Sequence, residues 1–226
     1  KRSKIFTRIA KEITISARIG GGSIDSNSRL RRAVSNAKSN NMASDKIDRA
    51  IKKGIGDIGE AVYEEVVYEG YSPGGAAIII NVITDNRNRS VADIRYAFNK
   101  YNGNLGGSGS VAWMFDAKGQ ILMKSNAQDQ NKIFGMLIEL GAEDFIEDED
   151  LYAVRTSSKD LMRIRDSMEA SGCLIKAAEV EMVPKSFQKL NQMDYDLTVR
   201  LLNCLEDNDD VNKVYTNLYW SQKILL

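Results

Sequence analysis

Apolar positions recur every three or four residues through the first quarter of the chain. From Ser3 to Arg18, Phe6, Ile9, Ile13 and Ala17 fall on one helical face while Lys4, Arg8 and Lys11 share another, and Gly20, Gly21 and Gly22 stop the helix. A second helix is predicted from Ser28 to Asn40, with Leu30, Ala33, Val34 and Ala37 inward and Arg29, Arg31, Arg32 and Lys38 outward. In a third, Ser44 is the expected N-cap and Ile47, Ala50 and Ile51 form the apolar face. Arg49, Lys52 and Lys53 point away from that face, and Gly54 ends the helix. Three short amphipathic helices bury their stripes against one another, which predicts a small bundle.

The period then changes to that of strands. Val62 to Tyr68, the turn Gly70-Tyr71-Ser72-Pro73-Gly74-Gly75 and the apolar run Ala76 to Ile83 predict a hairpin feeding a sheet. A helix from Asn88 to Asn102 follows, with Val91, Ile94, Ala97 and Phe98 inward. After a glycine-rich loop a strand is expected at Val111 to Phe115. From Gln120 the order is strand (Ile121 to Met123), helix (Asp129 to Leu140) and strand (Asp144 to Glu147). It continues as strand (Leu151 to Thr156), helix (Lys159 to Ser171) and strand (Leu174 to Val183), which spells the ferredoxin-like βαββαβ pattern. A helix from Asp194 to Leu205 and a strand around Val211 to Tyr219 close the chain and complete the earlier ββαβ unit. The expected fold is therefore α+β. A basic helical domain (1–58) precedes an α+β sandwich domain (59–118 plus 186–226), into which a ferredoxin-like domain (119–185) is inserted.

Charge divides along the same boundary. Lys+Arg and Asp+Glu are equal at 31 each over 226 residues, yet residues 1–58 hold fourteen basic against five acidic side chains, a net of +9, and the remainder carries −9. A cationic module is joined to an acidic body. Cys173 and Cys204 sit in apolar patterns 31 positions apart, which predicts two reduced thiols and a cytoplasmic setting. No stretch approaches the ~20 apolar residues that span a bilayer, so no membrane partner is expected. Lys1 in place of Met predicts a further native segment before it, which would extend the binding surface.

Enzyme chemistry finds little footing. The chain contains no histidine and no CxxC pair, which removes imidazole catalysis and most zinc sites from consideration. Gly107-Ser108-Gly109-Ser110-Val111-Ala112 fits G-x-G-x-x-A but precedes a strand instead of opening a helix, so it reads as a mobile or tightly turning loop, not a phosphate cradle. Glu206-Asp207-Asn208-Asp209-Asp210 lacks the glycine and closing glutamate of a calcium loop and reads as a solvated turn, as does Glu147-Asp148-Glu149-Asp150. No catalytic residue, metal, cofactor or small-molecule substrate is expected.

The cationic bundle is the feature with a partner-specific consequence, because clustered lysine and arginine attract polyphosphate and gain affinity by releasing counterions. Lys4, Arg8, Lys11, Arg29, Arg31, Arg32, Lys38, Arg49, Lys52 and Lys53 are its candidate contacts. Arg87 and Arg89, at a helix start where cations oppose the macrodipole, either serve the same anionic partner or pair with nearby carboxylates. Phe6, the one aromatic residue of the bundle, faces inward, so no base-stacking platform is expected there.

From Asp85 to Gly119 the chain reads DNRNRSVADIRYAFNKYNGNLGGSGSVAWMFDAKG. With KIFTRIAKEI (Lys4–Ile13), NMASDKIDRAIKKG (Asn41–Gly54), YEGYSPGG (Tyr68–Gly75) and LEDNDDVNKVYTN (Leu205–Asn217), it resembles the YebC/PmpR family over nearly its whole length. The resemblance implies three domains, the third inserted in the second. It also implies a non-enzymatic regulator of gene expression: a DNA-binding transcriptional regulator or, as in other relatives including a mitochondrial one, a translation factor at the ribosome. A protein-binding adaptor is a third reading. The chain departs from the family pattern at Ala43 and Ser72, in the Ser23–Ser28 loop, and in its opening segment.

Overall fold

The structure is a computed structural model that describes residues 2–59, 63–124, 130–148 and 151–220. The expected strand start at Val62, the helix start at Asp129 and the Glu149-Asp150 end of one acidic run lie outside these residues. Helices α1 (Arg2–Gly20), α2 (Ser28–Ser39) and α3 (Ser44–Gly54) form the bundle, and Ile9, Ile13, Leu30, Val34, Ala37 and Ile47 make its core. Asn27 caps α2: its Oδ1 accepts from the Leu30 amide at 3.0 Å while its Nδ2 donates to the Ser16 and Gly21 carbonyls, both at 2.8 Å. One amide side chain thus starts α2 and fastens it to the end of α1. Ala43, not Ser44, occupies the N-cap position of α3, with no side-chain cap bond. Gly54 lets α3 pass against the Thr14 carbonyl of α1, where a Cβ would collide with backbone.

Strands β1 (Glu64–Tyr71), β2 (Ala77–Thr84), β3 (Asn104–Leu105) and β8 (Val211–Thr216) form one antiparallel sheet in the order β3-β1-β2-β8. Its central strand β2 is apolar at six of its eight places, all but Asn81 and Thr84, because both faces are covered. Ile78, Ile80 and Val82 pack under α4 (Arg87–Lys100) and α7 (Gln192–Glu206), and Ala77 and Ile79 pack against Val111 and Phe115. Burial on both sides is what turns the usual alternation into the continuous run Ala76 to Ile83. The second sheet, inserted in sequence between β3 and β8, contains β4 (Phe115–Lys124), β5 (Asp144–Asp148), β6 (Leu151–Ser157) and β7 (Ile175–Pro184). With α5 (Gln130–Leu140) and α6 (Leu161–Ala170) it runs βαββαβ in the ferredoxin-like order β5-β6-β4-β7. The chain is α+β, with a helical N-terminal region and two four-stranded antiparallel sheets.

One predicted strand is corrected. Val111 to Phe115 does not extend the first sheet: Ala112–Met114 is a 3-10 turn, Phe115 begins β4 of the other sheet, and the two-residue β3 takes the expected place beside β1. The reason is Glu69, which is only 5% exposed. Its carboxylate accepts from the amides of Gly109 and Val111 at 2.7 Å and of Ala112 at 2.8 Å, so these donors are unavailable to a ladder.

Candidate nucleic-acid interface

The basic residues singled out from the sequence divide into two populations. One population faces inward and holds the bundle to the body. Lys4 Nζ donates to the Asp207 carbonyl at 2.8 Å, and Arg8 Nη2 donates to the Glu206 carbonyl. Lys11 Nζ reaches the Asp209 carbonyl at 2.8 Å and Asp210 Oδ1 at 3.0 Å. These three cations, one turn apart along α1, meet the C-terminal end of α7, whose exposed carbonyls carry the negative end of its macrodipole. The acidic run at Glu206–Asp210, expected as a solvated turn, is therefore a docking surface. Asp210 is its buried centre, 5% exposed.

Arg89 joins the same centre, donating to Asp210 Oδ2 at 2.7 Å and to Asp85 Oδ1 at 2.9 Å, while the buried Ser90 hydroxyl donates to Asp210 Oδ2 at 2.8 Å. Burial alone would raise the Asp210 carboxyl; the hydrogen bonds from Arg89, Ser90 and Lys11 outweigh it and hold the group below the usual aspartate range. Of the two readings left open for the Arg87/Arg89 pair, Arg89 takes the structural one. Arg87, the first residue of α4, is exposed and makes no hydrogen bond or ion pair among the described residues.

Arg29 is also engaged. It forks between Glu12 on α1 (Nε to Oε1, 2.8 Å) and Glu65 on β1 (Nη1 to Oε2, 2.8 Å), and these hydrogen bonds, Glu65 first, hold the guanidinium in its charged form against the cost of burial. It lies on the wall of a cleft of about 640 Å³ where the bundle meets β1, β8 and β7. Arg32 lines the same cleft without a hydrogen-bond or ion-pair partner among the described residues, and burial pushes its pKa down despite Glu12 and Glu179 nearby. Across the cleft Lys213 of β8 bridges Glu179 and Glu181 of β7, which ties the two sheets together. Burial disfavours the Lys213 charge, but the two carboxylates outweigh it and raise its pKa.

The second population faces solvent. Lys38, Arg49 and Lys52 are exposed and make no hydrogen bond or ion pair among the described residues. Lys53 is exposed with its ammonium 5.4 Å from the Tyr63 ring centroid, and the neighbouring Lys46 lies 5.9 Å from that of Phe6. Lys46, Arg49 and Lys53 stand at i, i+3 and i+7 on α3, so they form one stripe along its outer side. Arg31 is half-buried, with a buried Nε that finds no acceptor among the described residues. Glu69, Glu12 and Asp210 carry no local signal of their organising roles. The available signal was the acidic run at the end of α7 in a chain whose only strongly cationic module needed an anionic surface to dock on.

Among the described residues, no group of three or more His, Cys, Asp or Glu side chains could hold a metal ion, and no helix is long and apolar enough to cross a membrane. The anion that the amides of the glycine-rich loop do hold is the chain's own Glu69 carboxylate; burial raises this group, and the three amides more than compensate.

Residues 1–57 match the TACO1/YebC protein N-terminal domain, and residues 63–218 match the TACO1/YebC second and third domain. A protein of Geotalea uraniireducens named "Probable transcriptional regulatory protein" is 47% identical over 99% of this chain and 90% of its own length. One of the same name from Syntrophus aciditrophicus is 48% identical over 96% of this chain and 87% of its own. The crystal structure of a conserved hypothetical protein from Aquifex aeolicus superposes with a TM-score of 0.90 at 37% identity, covering 100% of this chain and 93% of that one. With both of its segments matched in order and near-half identity along its length, the chain belongs to the TACO1/YebC family.

Proposed function

We propose that this protein is a non-enzymatic, nucleic-acid-binding regulator of gene expression that holds phosphate backbone on the outer side of its helical bundle. The observation that carries this reading is the division of the cations. Those needed to dock the bundle are consumed by Asp207, Asp210, Glu12 and Glu65, while Lys38, Arg49, Lys52 and Lys53 remain exposed without anionic partners among the described residues. A row of unpaired cations on an otherwise acidic protein is the electrostatic footprint of a polyphosphate ligand. DNA is the first target, in keeping with the names of the relatives. RNA on the ribosome is the second, favoured by the spread of cations along a helix flank with no single reading helix, since shape and phosphate contacts suffice for structured RNA.

The test is a salt series against a random duplex and a structured RNA, read by fluorescence anisotropy. Neutralising about four phosphates predicts a slope of roughly −3 to −4 in log affinity against log salt. Replacing Lys52 and Lys53 by glutamine should lower that slope by about two units without altering sequence preference. Salt-independent binding, or a slope indifferent to these two lysines, would remove the electrostatic reading.

A further inference from the structure

We propose that the protein carries a second nucleic-acid surface, outside the helical bundle and specific for unpaired bases, built from Trp113, Phe187 and Tyr219 with Lys185 and Lys189. The inference rests on the nucleic-acid reading above and adds to it the class of ligand: a single strand with accessible base faces.

The three rings are unusually exposed for their type. Trp113 is 65% exposed, Phe187 60% and Tyr219 45%. Their backbones are nonetheless firmly held. The Glu69 carboxylate gathers the amides of Gly109, Val111 and Ala112 on one side of Trp113, and the indole Nε1 donates to the Ser110 carbonyl at 3.1 Å, which orients the ring while leaving its faces free. Lys185 then ties the next segment to this turn: its amide donates to the Met114 carbonyl and its Nζ to the Trp113 carbonyl, both at 2.9 Å. Phe187, two residues on, meets Tyr219 edge-on with ring centroids 6.4 Å apart. The Gln188 amide donates to the Asn217 carbonyl at 2.7 Å, and the Tyr219 amide donates back to Gln188 at 2.9 Å.

Two lysines interleave with the rings. Lys189 Nζ lies 4.8 Å from the Tyr219 centroid, and Lys185 Nζ is 3.5 Å from the exposed carboxylate of Asp116. An exposed pair of this kind is worth little, so Lys185 exchanges Asp116 for a phosphate at small cost while its amide keeps the tie to Met114. Aromatic faces on a held backbone beside exposed ammonium groups are the combination that binds single strands: bases stack on the rings and the backbone runs along the cations, whatever the base identity. A duplex offers no free base faces and gains nothing from the rings. An apolar protein partner would be served by the rings but not by the lysines, which is why charge complementarity favours a nucleic acid.

The experiment uses the full chain with Trp220→Phe, which leaves Trp113 as the reporter because the chain has two tryptophans. It is titrated with oligouridylate of about 12 nucleotides and with a blunt duplex of equal length, a span within the usual footprint of stacking sites. Quenching of Trp113 by the single strand and not by the duplex is expected. On affinity, Trp113→Ala or Phe187→Ala should weaken single-strand binding by about tenfold. Duplex binding and the melting temperature should stay unchanged, and Trp113→Phe should retain much of the single-strand affinity. If duplex binding persists and responds to Lys52 and Lys53 while the ring variants leave single-strand affinity unaltered, this inference is overturned and the bundle reading stands. Trp113 emission silent to every oligonucleotide overturns it equally. Absence of any nucleic-acid binding sinks both.

Discussion

Replacing Asp210 by alanine tests the docking of the bundle at the single group on which most of it depends. Asp210 is 5% exposed and receives Lys11, Arg89, Ser90 and, at 3.2 Å, the buried Thr84 hydroxyl. Breaking a buried pair by removing one partner costs about 3–5 kcal/mol, because the remaining charge and hydroxyls stay desolvated. Here the lower end applies. Lys11 keeps the Asp209 and Ile83 carbonyls at 2.8 and 3.3 Å, and Arg89 is half exposed and keeps Asp85. A loss of about 3 kcal/mol lowers the melting temperature of a chain this size by roughly 6–12 °C. Urea unfolding of wild type, Asp210→Ala, Lys11→Met and the double variant gives the coupling, expected at about 1–3 kcal/mol for side chains in direct contact. Acid provides an independent reading. Since the folded Asp210 pKa is depressed, its contribution is fully present above the ordinary aspartate value of about 3.9 and disappears as pH falls through the lower folded value. The gap between wild type and Asp210→Asn should therefore close below about pH 4. Equal stability of wild type and Asp210→Ala at pH 7, or a coupling of zero with Lys11, would refute the proposed latch.

Glu69→Gln keeps the shape of the clamp but removes its charge, and should cost about 1.5–3 kcal/mol in urea unfolding while broadening the Trp113 emission. Gly70→Ala places a Cβ 2.6 Å from the Asn104 carbonyl and 2.7 Å from the Phe98 ring, so a destabilisation of about 1–3 kcal/mol is expected from thermal melts. Arg29→Gln should lower stability while leaving the salt dependence of nucleic-acid binding unchanged, the opposite of the Lys52 and Lys53 substitutions, because Arg29 is already committed to Glu12 and Glu65.

The helical stripes of the bundle, the βαββαβ order and the apolar run of β2 were all legible in the chain, and so was the segregation of charge. Each is a local property. Ile9, Ile13 and Ala17 face one way because a helix turns every 3.6 residues, whatever lies beyond it. Two errors of reading mark where locality ends. Val111 to Phe115 has the composition of a strand, but a carboxylate some forty positions earlier, Glu69, takes the amides that a ladder would need. The run Glu206–Asp210 has the composition of a solvated turn, but Lys4, Arg8 and Lys11 cover it from about two hundred positions away. Which cations are free was undecidable from the chain for the same reason. Lys11 and Lys53 are alike in type and in helical setting, and only the packing of α1 against the end of α7 neutralises the first and leaves the second exposed. Composition sets how much positive charge the bundle carries; burial and the carboxylates brought to it by the fold decide where that charge can still meet a phosphate.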